Sequence, residues 1–156
     1  MKIAIGADHA GFRLKEILKK KLQEWGYEIS DFGTDSEESV DYPIFGLPVA
    51  ESVAQGSTDR GIVICGNGLG MCYVANKVPG IRAALANSVE LAIQSRLHGD
   101  SNVLALGGRP ETGGIGTEKA IQIVEVWLKT VFEGGRHSRR IEEIHKIEEK
   151  YEKKLN

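Results

Sequence analysis

Two rhythms of hydrophobic and polar residues alternate along this chain. Short, largely apolar runs recur at residues 2–6, 61–65, 81–86 and 103–106. Runs this short and this rich in Ile, Val, Leu and Ala predict strands buried on both faces. Residues 27–32 instead alternate apolar and polar, which predicts a strand nearer an edge. Between these runs the spacing changes to three and four. Phe12, Leu14, Ile17, Leu18, Leu22 and Trp25 predict a helix over 12–25, ended by Gly26, with Lys15, Lys19, Lys20 and Lys21 as a solvated basic face. A second helix is predicted from Pro43 toward Gln55, with Phe45, Val49, Val53 and Ala54 inward and Pro48 tolerated near its start. Further helices are predicted over 71–77, over 90–97 behind an Asn87-Ser88 cap, and over 117–132 with Ile121, Ile123, Val124, Trp127, Leu128 and Val131 inward. Ile141, Ile144, Ile147 and Tyr151 draw a narrow stripe on a last helix.

Alternation of strand and helix through five strands predicts an α/β fold: a three-layer α/β/α domain on a five-stranded parallel, Rossmann-like sheet. Residues 1–156 read as one domain, with 137–156 as a C-terminal helix whose stripe packs on its own domain or on a partner subunit. Such sheets bind ligands beyond the carboxyl ends of their strands. Asp8 and His9 follow the first strand, Cys65 ends the third and Arg109 follows the fifth. His98 lies in a loop before the fifth strand, where this rule does not place it.

Composition narrows the function. The net charge of −2 provides no basic field for nucleic acid, and no apolar run is long enough to span a bilayer. Met1 leads at once into a strand-like segment without a signal-peptide pattern. Two cysteines make no disulfide framework, so a reducing cytoplasm is expected. The acidic stretch 33–42 has no histidine nearby and reads as a solvated loop.

Candidate chemistry concentrates at 61–72. Cys65 closes a predicted strand, and Gly66, Gly68 and Gly70 alternate with Asn67 and Leu69 before a helix. Glycines let a backbone approach a ligand closely. Helix N-termini attract anions, and such surroundings favour a reactive thiol. An ordinary strand–turn–helix link carrying a small buried cysteine has the same pattern. No phosphate-binding G-x-x-x-x-G-K-[ST] loop occurs, and the glycine spacing is not the dinucleotide fingerprint. The four histidines lack metal-ligand spacing. Arg136, Arg139 and Arg140 form a basic group; if helical, Arg136 and Arg140 share a face and can grip one phosphate. Together these groups suit proton transfer beside a carbonyl on a phosphorylated substrate. A thiolate serves as base, loop N–H groups stabilise an enediolate oxygen, and a histidine protonates a ring oxygen. A phosphosugar-binding module without activity, or a thiol redox protein using Cys65 and Cys72, are the readings from other classes.

Several stretches carry a resemblance. They are residues 2–11 with Ala7-Asp8-His9-Ala10-Gly11, Asp41-Tyr42-Pro43, residues 61–66, residues 74–83, and Glu133-Gly134-Gly135-Arg136-His137 with Arg140. They run over nearly the whole chain, which resembles the type B ribose-5-phosphate isomerases and their allose- and galactose-6-phosphate isomerase relatives. The resemblance implies interconversion of ribose 5-phosphate and ribulose 5-phosphate through an enediolate, without metal or organic cofactor. It implies Cys65 as the proton-transferring base, residues 66–70 as the oxyanion loop, and His98 as the ring-opening acid helped by Asp8. His9, Arg109, Arg136 and Arg140 would hold phosphate and sugar. Homodimers, some pairing further to tetramers, with each site built from two subunits, are implied as well. Three departures bear on substrate: Asn67 where the family has Thr, Gly99 where it has Asn, and a longer segment after Arg109.

Overall fold

The computed structural model describes residues 1–152. Five strands, β1 (Lys2–Ala7), β2 (Glu28–Asp31), β3 (Arg60–Cys65), β4 (Ala83–Leu85) and β5 (Val103–Gly107), form one sheet. Its order is β2-β1-β3-β5-β4, and every pairing is parallel. The helices are α1 (Phe12–Glu24), α2 (Tyr42–Ala54), α3 (Leu69–Ala75), α4 (Val89–Leu97), α5 (Thr117–Lys129) and α6 (Arg136–Glu152). This is the α/β architecture expected. Residues 153–156 of the expected C-terminal helix lie outside the described residues.

The apolar runs divide their side chains between two cores. Ile3, Ile5, Ile62, Ile64, Leu104 and Leu106 face a core that includes Leu18 of α1, Ala92 of α4 and Trp127 of α5. Ala4, Val63, Cys65, Val103 and Ala105 face the other core, with Val49 of α2 and Met71 of α3. The chain leaves β1 toward α1 on one face and leaves β3 toward α3 on the other. The carboxyl ends of β1 and β3 therefore open into a crevice at the switch point, the usual ligand position in this architecture.

Several expectations shift. The helix expected over 71–77 begins earlier, at Leu69, and β4 keeps only part of 81–86. The Arg82 N–H turns to the Asn102 side-chain oxygen at 2.8 Å instead of extending the ladder. Pro48 lies inside α2 rather than in its first turn. Ala54, the last residue of α2, and Val131, beyond the end of α5 at Lys129, are both expected inward and are exposed. Lys15, expected on a solvated face, is buried. Its stem runs past Gly33, and its Nζ reaches both Asp31 oxygens at 3.1 and 2.9 Å. Lys19 joins the same carboxylate. Burial pushes the Asp31 carboxyl up, but these two ammonium groups and the Gly33 N–H hold it below its ordinary value.

Candidate active site

The carboxyl edge of the sheet gathers most of the expected residues. Hydrogen bonds from β1 to β3 set Asp8 beside Ile64, and Cys65 is buried one residue further on. Asp8 is also buried, and its Oδ1 accepts the Gly11 N–H at 3.0 Å. Gly108 and Arg109 donate their N–H groups to the carbonyls of Cys65 and Gly66, at 2.8 and 3.0 Å, which brings Arg109 to the mouth of the crevice. Gly68 has φ of 86°, and a side chain there would come within 2.5 Å of Leu85. Glycine is therefore required where the loop turns into α3.

The loop between Gly66 and Gly70 is shaped from three sides. Asn67 Oδ1 accepts the Leu69 N–H at 3.1 Å, so one first-turn donor of α3 is already engaged. The N–H groups of Gly70 and Met71 remain first-turn donors without an intrahelical partner. Tyr42 stands over Gly70, where an added side chain would lie 2.7 Å from its ring. Thr112, in the segment after Arg109, has its hydroxyl 3.6 Å from the position a Gly66 side chain would take. The extended 110–117 segment thus packs on the glycine loop itself.

Beside this loop lies a cleft of about 450 Å³, lined by His9, Arg13 and Arg109 together with Glu37 and Glu111. His9 Nδ1 lies 3.2 Å from the Val40 N–H. The same nitrogen lies 3.2 Å from the Val40 carbonyl, so Val40 holds the ring in place whichever of the two bonds forms.

The remaining expected residues lie at the opposite edge. Gly61 pairs with Val103 and Cys65 with Gly107, so the two ends of β3 are about 13 Å apart along the strand. The Gly61 N–H bonds the Asn102 carbonyl, which fixes the 98–102 loop at the amino edge. His98 stacks on His137 there, with centroids 4.2 Å apart and planes 13° from parallel. Glu133 Oε2 lies 3.6 Å from His98 Nε2 and 3.9 Å from His137 Nε2. Arg136 Nε approaches His137 Nε2 at 3.4 Å. Arg136 and Arg140, one helical turn apart on α6, are both exposed. Burial pushes the His137 imidazole below its ordinary value, with His98 and Arg136 adding to the effect.

A rigid frame holds this corner. Arg82 Nε donates to the Gly99 carbonyl at 3.0 Å, Arg96 spans Asp100 and the Ser101 carbonyl, and Trp127 Nε1 donates to Ser101 at 2.8 Å. Asp100 takes a left-handed φ of 43° in this turn. Among the described residues, His98, Glu133 and His137 bring three possible metal-ligand atoms within 4.8 Å of one another. Their stacked rings direct nitrogen lone pairs along nearly parallel planes, which do not meet at a shared ion.

One chain therefore brings Asp8, His9, Cys65, residues 66–70 and Arg109 together, and separately groups His98 and Gly99 with Arg136 and Arg140. Sequence reasoning assigned no role to Arg13, Tyr42, Glu37, Glu133 or His137. Tyr42, Glu133 and His137 lie in stretches that carry the family resemblance, and that was the signal that could have singled them out.

The chain matches the Ribose/Galactose Isomerase family over residues 3–144. It is 47% identical over 149 residues to ribose-5-phosphate isomerase B of Escherichia coli strain K12, covering 96% of this chain and 97% of that protein. The solved ribose-5-phosphate isomerase B of Clostridium thermocellum superposes with a TM-score of 0.92 at 54% identity, over 97% of this chain and 99% of that one. The Mycoplasma genitalium ribose-5-phosphate isomerase B, solved with bound ribulose-5-phosphate, superposes with a TM-score of 0.89 at 40% identity, over 96% and 97% of the two chains. With a buried cysteine at the switch-point crevice and a cation-lined cleft beside it, the chain belongs to the ribose/galactose isomerase family.

Proposed function

We propose that this protein is an aldose–ketose isomerase that interconverts ribose 5-phosphate and ribulose 5-phosphate in the cytoplasm. The observation that carries the reading is the placement of Cys65. It ends β3 in the crevice, next to a glycine loop and a cleft lined by His9 and Arg109. After ring opening, the Cys65 thiolate takes the C2 proton, and the electron pair moves through the C1–C2 bond onto O1. First-turn N–H groups of α3 stabilise that oxygen. The O2 proton passes to O1, and the thiol returns its proton to C1 as the C2 carbonyl forms. His98 protonates the ring oxygen in the opening step, assisted by Asp8. His9, Arg109, Arg136 and Arg140 hold phosphate and sugar.

The separation of His98 from Cys65 supports a site shared between two copies of the chain, since the groups of one edge lack the acid and those of the other lack the base. Leu69, Tyr73 and Leu91 near these edges, and Ile144, Ile147 and Tyr151 on α6, are exposed apolar side chains suited to a homodimer contact. Asn67 and Gly99 lie at the two halves of such a site, and they keep allose 6-phosphate and galactose 6-phosphate as alternative substrates.

A substrate panel tests the reading. Ribose, ribulose, allose and galactose phosphates are assayed with the native protein and with Cys65→Ala. Ribose 5-phosphate is expected to turn over fastest, and Cys65→Ala to lower kcat by about 1000-fold or more. Full activity in the mutant removes the thiolate assignment. A native protein that isomerises no sugar phosphate is a binding module instead.

A further inference from the structure

We propose that Arg13 is an additional phosphate-binding residue, and that Glu37 is the internal anion it holds until the phosphate arrives. The inference rests on the phosphosugar reading above. Arg13 is the second residue of α1, and its side chain is 80% exposed. An arginine in that position has little to pack against, yet its guanidinium is folded back onto one carboxylate through two bonds. Nε meets Glu37 Oε1, and Nη2 meets Oε2 at 2.9 Å. Both side chains line the cleft that also holds His9 and Arg109. Arg13 holds the Glu37 carboxyl below its ordinary value, and Arg109 adds to the effect. Glu37 is thus an anion lying in the field of two arginines inside the proposed phosphate cleft.

A guanidinium fork accepts carboxylate and phosphate oxygens in the same planar geometry. A phosphate dianion offers a further oxygen and a larger charge to Arg13, Arg109 and the His9 ring that line the same cleft. It exchanges with Glu37 rather than entering beside it, because two anions in one cleft repel. Glu37 belongs to the 33–41 segment, which the Val40–His9 bond tethers to the same cleft. Phosphate binding therefore breaks an ion pair within the chain, and the strength of that pair sets the affinity for phosphorylated sugar.

The test compares wild type with Arg13→Gln, Glu37→Gln, the double variant and Arg109→Gln, with Lys119→Gln as an exposed charge control on α5. Two quantities are read: KM for ribose 5-phosphate, and the Kd of inorganic phosphate by titration calorimetry, which needs no turnover. Arg13→Gln is expected to raise both by about 5-fold, the scale of one exposed charge-assisted contact. Glu37→Gln is expected to lower both by about 3-fold, and to do less in the Arg13→Gln background because the two groups are coupled. Arg13→Gln values equal to those of Lys119→Gln overturn the inference. If Arg109→Gln weakens phosphate in that case, the phosphate reading of the cleft stands and only the role of Arg13 falls. If Arg109→Gln also leaves the phosphate Kd unchanged, the cleft reading fails together with this inference.

Discussion

The two edges of the sheet are built for different tasks. At the carboxyl edge, Cys65 and Asp8 are buried and the groups around them are backbone N–H donors, a glycine loop and a cleft lined by charged side chains. At the amino edge, His98 is 42% exposed on its side chain, with a rigid frame of Arg82, Arg96, Asp100 and Trp127 behind it. The first edge is a pocket that holds the buried Cys65 thiol and Asp8 but not His98. The second is a rigid surface presenting an imidazole and two arginines outward. On the proposed reading, the difference teaches that the two edges are complementary: what one lacks, the other would offer to a second copy.

The largest expected effect comes from breaking this complementarity deliberately. Cys65→Ala and His98→Asn, each made alone, are expected to be nearly inactive. Co-refolding them in equal amounts should restore roughly a quarter of wild-type activity, because random pairing makes half of the dimers mixed and each mixed dimer carries one intact site. No recovery, with mixed dimers demonstrated by mass spectrometry, would mean that Cys65 and His98 act within one chain.

A smaller effect tests what the arginines of the amino edge hold. Arg136→Ala combined with Arg140→Ala should raise KM for ribose 5-phosphate by about 100-fold, as expected for loss of two charge-assisted phosphate contacts. An unchanged KM in steady-state assays rules out the phosphate role and leaves α6 a packing element.

The smallest effect separates the edges by their response to acid. Burial pushes the His137 imidazole below its ordinary value, with His98, Arg136 and Arg140 adding to the effect and Glu133 opposing it. Its folded value lies below its unfolded one, so the unfolded chain takes the proton first. The stability this contributes is complete above the ordinary imidazole value near 6.5 and is lost as pH falls below it. Urea unfolding between about pH 8 and pH 5 should therefore show a steeper loss for wild type than for His137→Gln. Equal slopes would show that this stack carries no acid sensitivity.

Much of the fold could be read from residue order because the physical rules involved are local. Uninterrupted runs such as 62–64 and 103–106 report strands covered on both faces, and Gly26 reports a helix end. The candidate site was readable in part for the same reason. Asp8, His9, Cys65 and Arg109 follow strand ends, and parallel sheets place strand ends together. Other features depended on distant neighbours. Lys15 looks like Lys20 in a helical repeat, and only the position of Asp31 beneath α1 makes it a buried partner. Glu37 looks like any acid in a polar loop until Arg13 is found across from it.

By itself, then, the sequence determined the alternation of strand and helix, the parallel sheet that follows from it, and the presence of a thiol beside a glycine loop. Periodicity and backbone chemistry act over a few residues and need no knowledge of the rest. Tertiary structure alone decided which face each apolar residue serves, because a run buried on both sides carries no polar alternation to mark its faces. It alone also decided that His98 and Cys65 lie at opposite edges. That separation is set by the register of β5 on β3, a contact between segments some forty residues apart, which no local pattern encodes.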